Sequence, residues 1–338
     1  MFASSVMAPI SKLQARLLLA GMLFWSATLW AQTSDEAIAL LEEMAQAVHQ
    51  LSYVGTFVYQ QGDQLQTMRI IRSVSDAGEV ERLVAISGQT REVIRASDRV
   101  TCILPEDSSI VVEQASTPRP FTAIPIERLD FLGKHYQIQL ADSDRIAGMI
   151  ARQVNILPRD GYRYGQRLWL DEHSKLPLRS EVFDEQGEIV EKLFFTSLEI
   201  RDSIPEEMLL PSSVGDHDQL LELERQLPPR RGISGGAPAA WQSDDLPTGF
   251  RQKVQRRHFL PNKFYQVEHH VYSDGLASVS VFVEQLDEGD LPLTGPSRIG
   301  GVNVYGHLHN GHLITVLGEV PEITVRQIAR SMTPVSSP

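Results

Sequence analysis

Short stretches of alternating apolar and polar residues, parted by turn residues, dominate this chain and constrain its fold most. They fall at 53–60, 64–74, 80–87, 91–96, 100–104 and 109–114. Gln61-Gly62-Asp63, Asp76-Ala77-Gly78 and Ser87-Gly88 separate them. A period of two with compact turns is the pattern of hairpins, and a succession of hairpins pairs antiparallel. Further segments of this kind lie at 152–158, 162–171, 178–184 and 190–200. A helix is expected ahead of them over 35–50, with Ile38, Leu41, Ala45 and Val48 on one face. Pro118, Pro120 and Pro125 interrupt the strands at 115–136, where Ile126, Leu129 and Leu132 suggest one short helix. The expected class is α+β, mainly β, with a large antiparallel sheet.

Two units are expected in 338 residues. The apolar pattern fades from Pro205, and Pro228, Pro229, Gly232, Gly235, Gly236 and Pro238 crowd together, as in a surface linker. A smaller antiparallel α+β unit then has segments at 251–259, 264–273, 277–284, 300–308 and 312–319, closed by a helix over 321–330. The divisions are a signal peptide at 1–31, a first domain at 32–205, a linker at 206–240 and a second domain at 241–332. The signal reading rests on Lys12 and Arg16 ahead of the apolar run 17–31, too short for a comfortable membrane span. Cleavage is expected after Ala31, although Leu29 stands where a small residue is usual; an uncleaved anchor is the rival reading. No cysteine follows the run, which argues against a lipid-anchored mature end. Losing Lys12 and Arg16 takes the net charge from -12 to -14, a balance that speaks against nucleic acid as partner. The single cysteine, Cys102, reads as a structural thiol.

The sequence offers no catalytic set. Gly232-Ile233-Ser234-Gly235-Gly236 fits the spacing of a nucleophile elbow, but Pro228-Pro229 and Pro238 replace the strand and helix that an elbow needs. His307, His309 and His312 flank the turn Asn310-Gly311, which would set His309 opposite His312 with His307 on the same face. Three imidazoles there could ligate zinc or copper, but no cysteine or carboxylate completes the set nearby, and a polar hairpin face is the simpler reading. No metal and no cofactor is therefore expected. Arg251, Lys253, Arg256 and Arg257 form a basic strand in an acidic protein and are candidates for partner contact. Alternation places Arg251, Lys253 and Arg257 on one face.

Longer stretches resemble a known family. Asn310-Gly311-His312, Thr315-Val316 and Gly318-Glu319-Val320-Pro321 ahead of a helix resemble the C-terminal signature of the MucB/RseB family. Residues 51–59, Gly161-Tyr162-Arg163-Tyr164-Gly165, Leu168-Trp169-Leu170-Asp171 and Lys175-Leu176-Pro177-Leu178 resemble its first domain. The resemblance implies a periplasmic negative regulator of a σE/AlgU-type envelope-stress response. Such a protein binds the periplasmic part of a RseA/MucA-like anti-sigma factor and shields it from the first stress protease. The resemblance also implies a LolA/LolB-like large domain, a curved half-barrel sheet with helices over an apolar cavity. Lipid A, lipopolysaccharide or lipoprotein acyl chains would act there as the release signal. Phe57, Tyr59, Tyr162, Tyr164, Leu168 and Leu170 are the candidates for lining that cavity, with plain core packing as the alternative. A LolA-like carrier that only ferries lipid or lipoprotein is the competing function; a second domain argues against it. Self-association stays open on this reading.

Overall fold

The computed structural model describes residues 34–76, 78–88, 91–96, 99–104, 109–114, 129–211, 240–259, 266–286 and 291–335. The signal segment 1–31, Ser234, the prolines of the insertion and most of the linker lie outside them. No helix among the described residues is long and apolar enough to cross a membrane.

The alternating segments pair as expected. Eleven strands form one open sheet in the order β6-β5-β4-β3-β2-β1-β11-β10-β9-β8-β7. The first six are β1 (Ser52–Gln61), β2 (Gln64–Ser75), β3 (Gly78–Ala85), β4 (Glu92–Ala96), β5 (Arg99–Leu104) and β6 (Ser109–Gln114). The others are β7 (Tyr136–Ile146), β8 (Met149–Pro158), β9 (Gly165–Asp171), β10 (Pro177–Phe183) and β11 (Ile189–Arg201). Two meanders thus meet where β1 pairs antiparallel with β11. The sequence reading did not anticipate β7, which follows directly on the short helix α2 (Leu129–His135).

One face of this sheet carries the main core. Helix α1, over 34–50, buries Ala37, Leu41, Met44 and Val48 against it. Of the expected face, Leu41, Ala45 and Val48 are buried and Ile38 packs half-buried against the same core, with Ala37 and Met44 added to the stripe. Phe57, Ile70, Leu83, Val154, Ile156, Leu168, Leu170, Leu193 and Phe195 meet the helix from the strands. Phe57 packs edge-on against Phe195, with ring centroids 5.7 Å apart. After β11, a 3-10 turn at Glu206–Met208 packs back on the sheet, and the Met208 carbonyl accepts a hydrogen bond from Arg82 at 2.9 Å. Residues 206–211 thus sit with the large unit by contact.

The smaller unit has six strands in the order β13-β14-β15-β18-β17-β16. They are β13 (Arg251–Phe259), β14 (Gln266–Ser273), β15 (Ser278–Gln285), β16 (Gly295–Ile299), β17 (Val302–His309) and β18 (His312–Gly318). Helix α3 (Glu322–Ser331) buries Thr324, Val325, Ile328 and Ala329. A two-stranded ribbon of β12 (Trp241–Ser243) and β19 (Met332–Pro334) ties the ends of the unit together. The edge strand β16 was not legible, because Gly295, Pro296 and Ser297 carry little strand propensity.

Glycine is required where β9 begins. A Cβ on Gly165 would lie 2.2 Å from the Phe183 ring, across the β9–β10 pair. Gly165→Ala should destabilise the large unit by about 1–3 kcal/mol through overpacking. Phe183→Leu should recover part of that loss in the double variant. Urea unfolding checks this; a Gly165→Ala variant as stable as the parent contradicts the packing.

Candidate functional site

The two units meet along one continuous seam, and the residues that build it come from local turns. At one end lies the turn between β14 and β15. Asp274 Oδ1 accepts the backbone N–H groups of Leu276 and Ala277 at 2.9 and 2.8 Å, which fixes the turn. Leu276, held by that turn, joins the core cluster of the large unit. Asp274 Oδ2 then accepts the Tyr136 hydroxyl at 2.9 Å and Arg163 Nε at 2.5 Å. Neither the Arg163 nor the Asp274 side chain has any exposed surface.

Arg163 occupies the loop between β8 and β9. Its other guanidinium nitrogens donate to Asp160 and to the carbonyl of Thr248. The rings of Phe250 and Tyr136 flank it, with centroids 5.1 and 5.7 Å away. Burial works to lower its pKa, but the hydrogen bonds it donates to Asp274 and Asp160 outweigh that and raise it. Burial first, then the Asp274 charge, pushes the Tyr136 hydroxyl well above its ordinary range. Burial and the Arg163 charge push His135 down. Gly249 adopts a φ of +95°, and a Cβ there would lie 2.7 Å from His135 and 2.9 Å from Arg163. Only glycine fits that position on both counts.

The seam continues through the neighbours of Arg163. The Tyr162 carbonyl accepts the Thr324 hydroxyl of α3 at 2.8 Å. The Tyr164 hydroxyl accepts Asn303 Nδ2 at 2.9 Å, and the same amide donates to the Val320 carbonyl at 2.7 Å. Strand β9 starts at Gly165, so Tyr162 and Tyr164 do not continue the face of Leu168 and Leu170. This corrects the expected alternation. Residues 161–163 form a bend, begun where Asp160 accepts the Tyr162 N–H at 3.0 Å, and the tyrosines meet the second unit. Phe57, Leu168 and Leu170 lie in the main core, and Tyr59 packs half-buried against it. The Tyr59 hydroxyl donates to Glu191 at 3.0 Å. Four of the six cavity candidates therefore share the helix-covered side of the sheet, while the other two stand at the seam.

The basic strand is divided by a β-bulge. Pairing of β13 with β14 shifts register between Gln252 and Val254, leaving Lys253 as the extra residue. Arg257 then pairs with Glu268, whereas Arg256 pairs with His269 on the opposite face. Arg251, Lys253 and Arg257 consequently do not share one face, because the bulge resets the alternation. Arg251 and Lys253 are exposed and Arg256 is half-buried. Arg257 is bound to Glu268 at 3.0 Å, and Glu268 also accepts the N–H groups of Ala240 and Trp241. That carboxylate anchors the chain where it enters the second unit. Burial works to raise its pKa, but bonds from His270, Ala240 and Arg257 hold it below the ordinary value.

The histidine hairpin forms as read: His309 pairs with His312, and Asn310 and Gly311 take positive φ. Both rings pack on Trp241, at centroid distances of 5.7 and 5.1 Å. Among the described residues no group of three His, Cys, Asp or Glu side chains is arranged to hold a metal ion. Cys102 is half-buried on β5 rather than fully enclosed.

Sequence reasoning missed Arg163, Asp274 and Asn303 as site residues. One signal was present: an arginine inside the otherwise apolar, tyrosine-rich stretch Tyr162-Arg163-Tyr164, next to a turn. Asn303→Ala removes one hydrogen bond across the seam and one within the small unit, and should cost about 1–3 kcal/mol by stranding the Val320 carbonyl. Tyr164→Phe should cost less, since the bond from Asn303 to Val320 survives. Chemical denaturation of both variants gives the order; the reverse order contradicts Asn303 as the junction.

Comparison with known proteins places this architecture. Residues 36–213 match the MucB/RseB N-terminal domain, and residues 236–333 match the MucB/RseB C-terminal domain. The sigma factor AlgU regulatory protein MucB of Pseudomonas aeruginosa is 32% identical over 328 residues, 94% of this chain and 96% of that protein. The sigma-E factor regulatory protein RseB of Escherichia coli is 26% identical over 318 residues, 93% of this chain and 95% of that one. A crystal structure of MucB in complex with MucA(peri) aligns with a TM-score of 0.70 at 29% identity, covering 89% of this chain and 100% of that one. A crystal structure of MucB aligns with a TM-score of 0.62 at 28% identity. Both domain matches and the full-length relatives agree that this chain belongs to the MucB/RseB family.

Proposed function

We propose that this chain is a periplasmic negative regulator of a σE/AlgU-type envelope-stress response. It binds the periplasmic part of a MucA/RseA-like anti-sigma factor and shields that factor from site-1 proteolysis. The observation that carries this reading is the likeness to MucB in complex with MucA(peri), at a TM-score of 0.70 over all of that chain. The chain acts by binding, through its two units, and not by catalysis. Export by the segment 1–31 puts the chain in the same compartment as that partner.

Lipid is the release signal in this reading. Acyl chains of lipid A, lipopolysaccharide or a lipoprotein enter the helix-covered side of the large sheet, near Phe57, Tyr59, Leu168 and Leu170. An amphiphile that spreads α1 from the sheet alters the surface offered to the partner. Its effect is limited to its differential affinity for the two arrangements. Arg251, Lys253 and Arg256 are proposed as partner contacts, since each carries a cation at or near the surface of an acidic chain.

The test is a protection assay. The purified chain should slow site-1 cleavage of the anti-sigma periplasmic segment, and a lipopolysaccharide fragment below its micelle concentration should restore it. Reversing Arg251, Lys253 and Arg256 to Glu should weaken partner affinity, more at low salt than at high salt. Cleavage at an unchanged rate with saturating protein present contradicts the shielding function. Unchanged affinity in the triple variant removes only the basic strand from the contact.

A further inference from the structure

At the far end of the seam from Arg163, two carboxylates meet. Glu191 belongs to β11 of the large sheet, and Glu319 follows β18 of the small unit. Glu319 stands within interaction range of Glu191, where its charge and a hydrogen bond to it both push the Glu191 carboxyl up, and a hydrogen bond between two carboxyl groups requires a proton. The backbones are close as well. A Cβ on Gly301 would lie 2.7 Å from Val190 Cγ1 of the large unit and 3.8 Å from Glu319 Oε1. Gln61 of β1 lies against Gly300 and Gly301. The hairpin between β16 and β17 thus presses on β1 and β11 beside Glu191, which pairs with Gln61, and brings Glu319 to the same place.

We propose that Glu191 and Glu319 form a proton-dependent latch between the two units, closed when one proton bridges the pair and strained open when both are ionised. The groups that face Glu191 are few. Tyr59 of β1 donates to its Oε2 at 3.0 Å, and Glu319 contributes a negative charge. Arg91 lies close enough to act on Tyr59. The neighbouring Lys192 is turned to Glu181, at 3.4 Å, and does not serve Glu191. Among the described residues, no arginine or lysine is a leading cause of the Glu191 shift. Burial is the larger cause and the Glu319 charge the second, and together they push Glu191 up to about 8. Glu319 is exposed, so the bridging proton exchanges with bulk water.

The direction of the pH effect follows from linkage. In the closed arrangement Glu191 holds its proton more tightly than a free carboxyl near 4.5. The latch is at full strength below that value, and it is lost as pH rises through about 8. At the Arg163 end the guanidinium stays charged throughout, and His135, pushed down by burial and by the Arg163 charge, is neutral above its ordinary value. Raising the pH therefore loosens one end of the seam while the other stays pinned, so the units pivot rather than part.

Spin labels on either side of the latch read this directly. Leu65 and Ile299 are exposed on the large and small units, and Cys102→Ser removes the native thiol. In this background, Leu65→Cys and Ile299→Cys labels are measured by pulsed electron resonance in samples frozen from pH 6 and pH 9. The native pair should give one short distance at pH 6. At pH 9 a longer population should grow at least tenfold. Glu319→Gln should hold the short distance at both values, because its amide donates to Glu191 in place of the proton. Glu191→Gln should behave likewise; if that less exposed substitution folds poorly, Glu319→Gln, at an exposed position, remains informative. Identical distributions at pH 6 and pH 9 in the native chain overturn the latch. So does a Glu319→Gln variant that opens with pH as the native chain does.

Discussion

The Arg163 guanidinium sits wholly out of water between two folded units, and the arrangement of the molecule depends on how it is satisfied. A buried cation is costly unless it is paired and its donors are taken up. Here Asp274 supplies the charge from the small unit, and Asp160 answers from the same loop. The Thr248 carbonyl takes a third donor, and two aromatic rings fill the space on either side. Removing one member leaves the rest unpaired at a cost of about 3–5 kcal/mol. Satisfaction of this one side chain needs the β14–β15 turn, the loop after β8, and the segment before β13 together. A Pro/Gly-rich linker composition fixes no orientation between the units by itself; the buried network supplies one.

That constraint bears on regulation. Every contact along the seam, from Asp274 through Asn303 to Glu319, joins a loop or turn of one unit to the other. None lies in the middle of a strand, so the two sheets can stay intact while their relation changes. Leu276 of the small unit is part of the large core, next to Tyr136 at the foot of α2. An amphiphile that disturbs the helix-covered face of the large sheet would act on the same core that holds Leu276. Under the function proposed above, packing is the route from lipid to partner surface, without requiring a ligand to reach the second unit.

Legibility from sequence followed the range of the interactions. The hairpin His309-Asn310-Gly311-His312 was readable because its turn needs positive φ and those residues supply it. The strands β1 to β6 were readable because alternation and turns are local. Tyr162-Arg163-Tyr164 looked like the start of a strand because it continues the alternation of Leu168 and Leu170. The structure uses it as a bend, and the reason lies at Asp274 and Asn303, more than a hundred positions away. The bulge at Lys253 defeated the face assignment in the same way, since one extra residue leaves no mark in composition. The family motifs were legible as motifs, but not as the seam that they build.

The central claim is that the buried Asp274–Arg163 pair makes the two units one cooperative structure. Hydrogen exchange followed by mass spectrometry at rising urea tests it most directly, comparing peptides from β9–β11 with peptides from β17–α3. In the native chain both sets should lose protection at the same urea concentration. Asp274→Asn keeps the Oδ1 turn bonds but removes the charge, and it should separate the two midpoints by about 1 M urea or more. Midpoints already separate in the native chain, or still coincident in Asp274→Asn, would contradict the account.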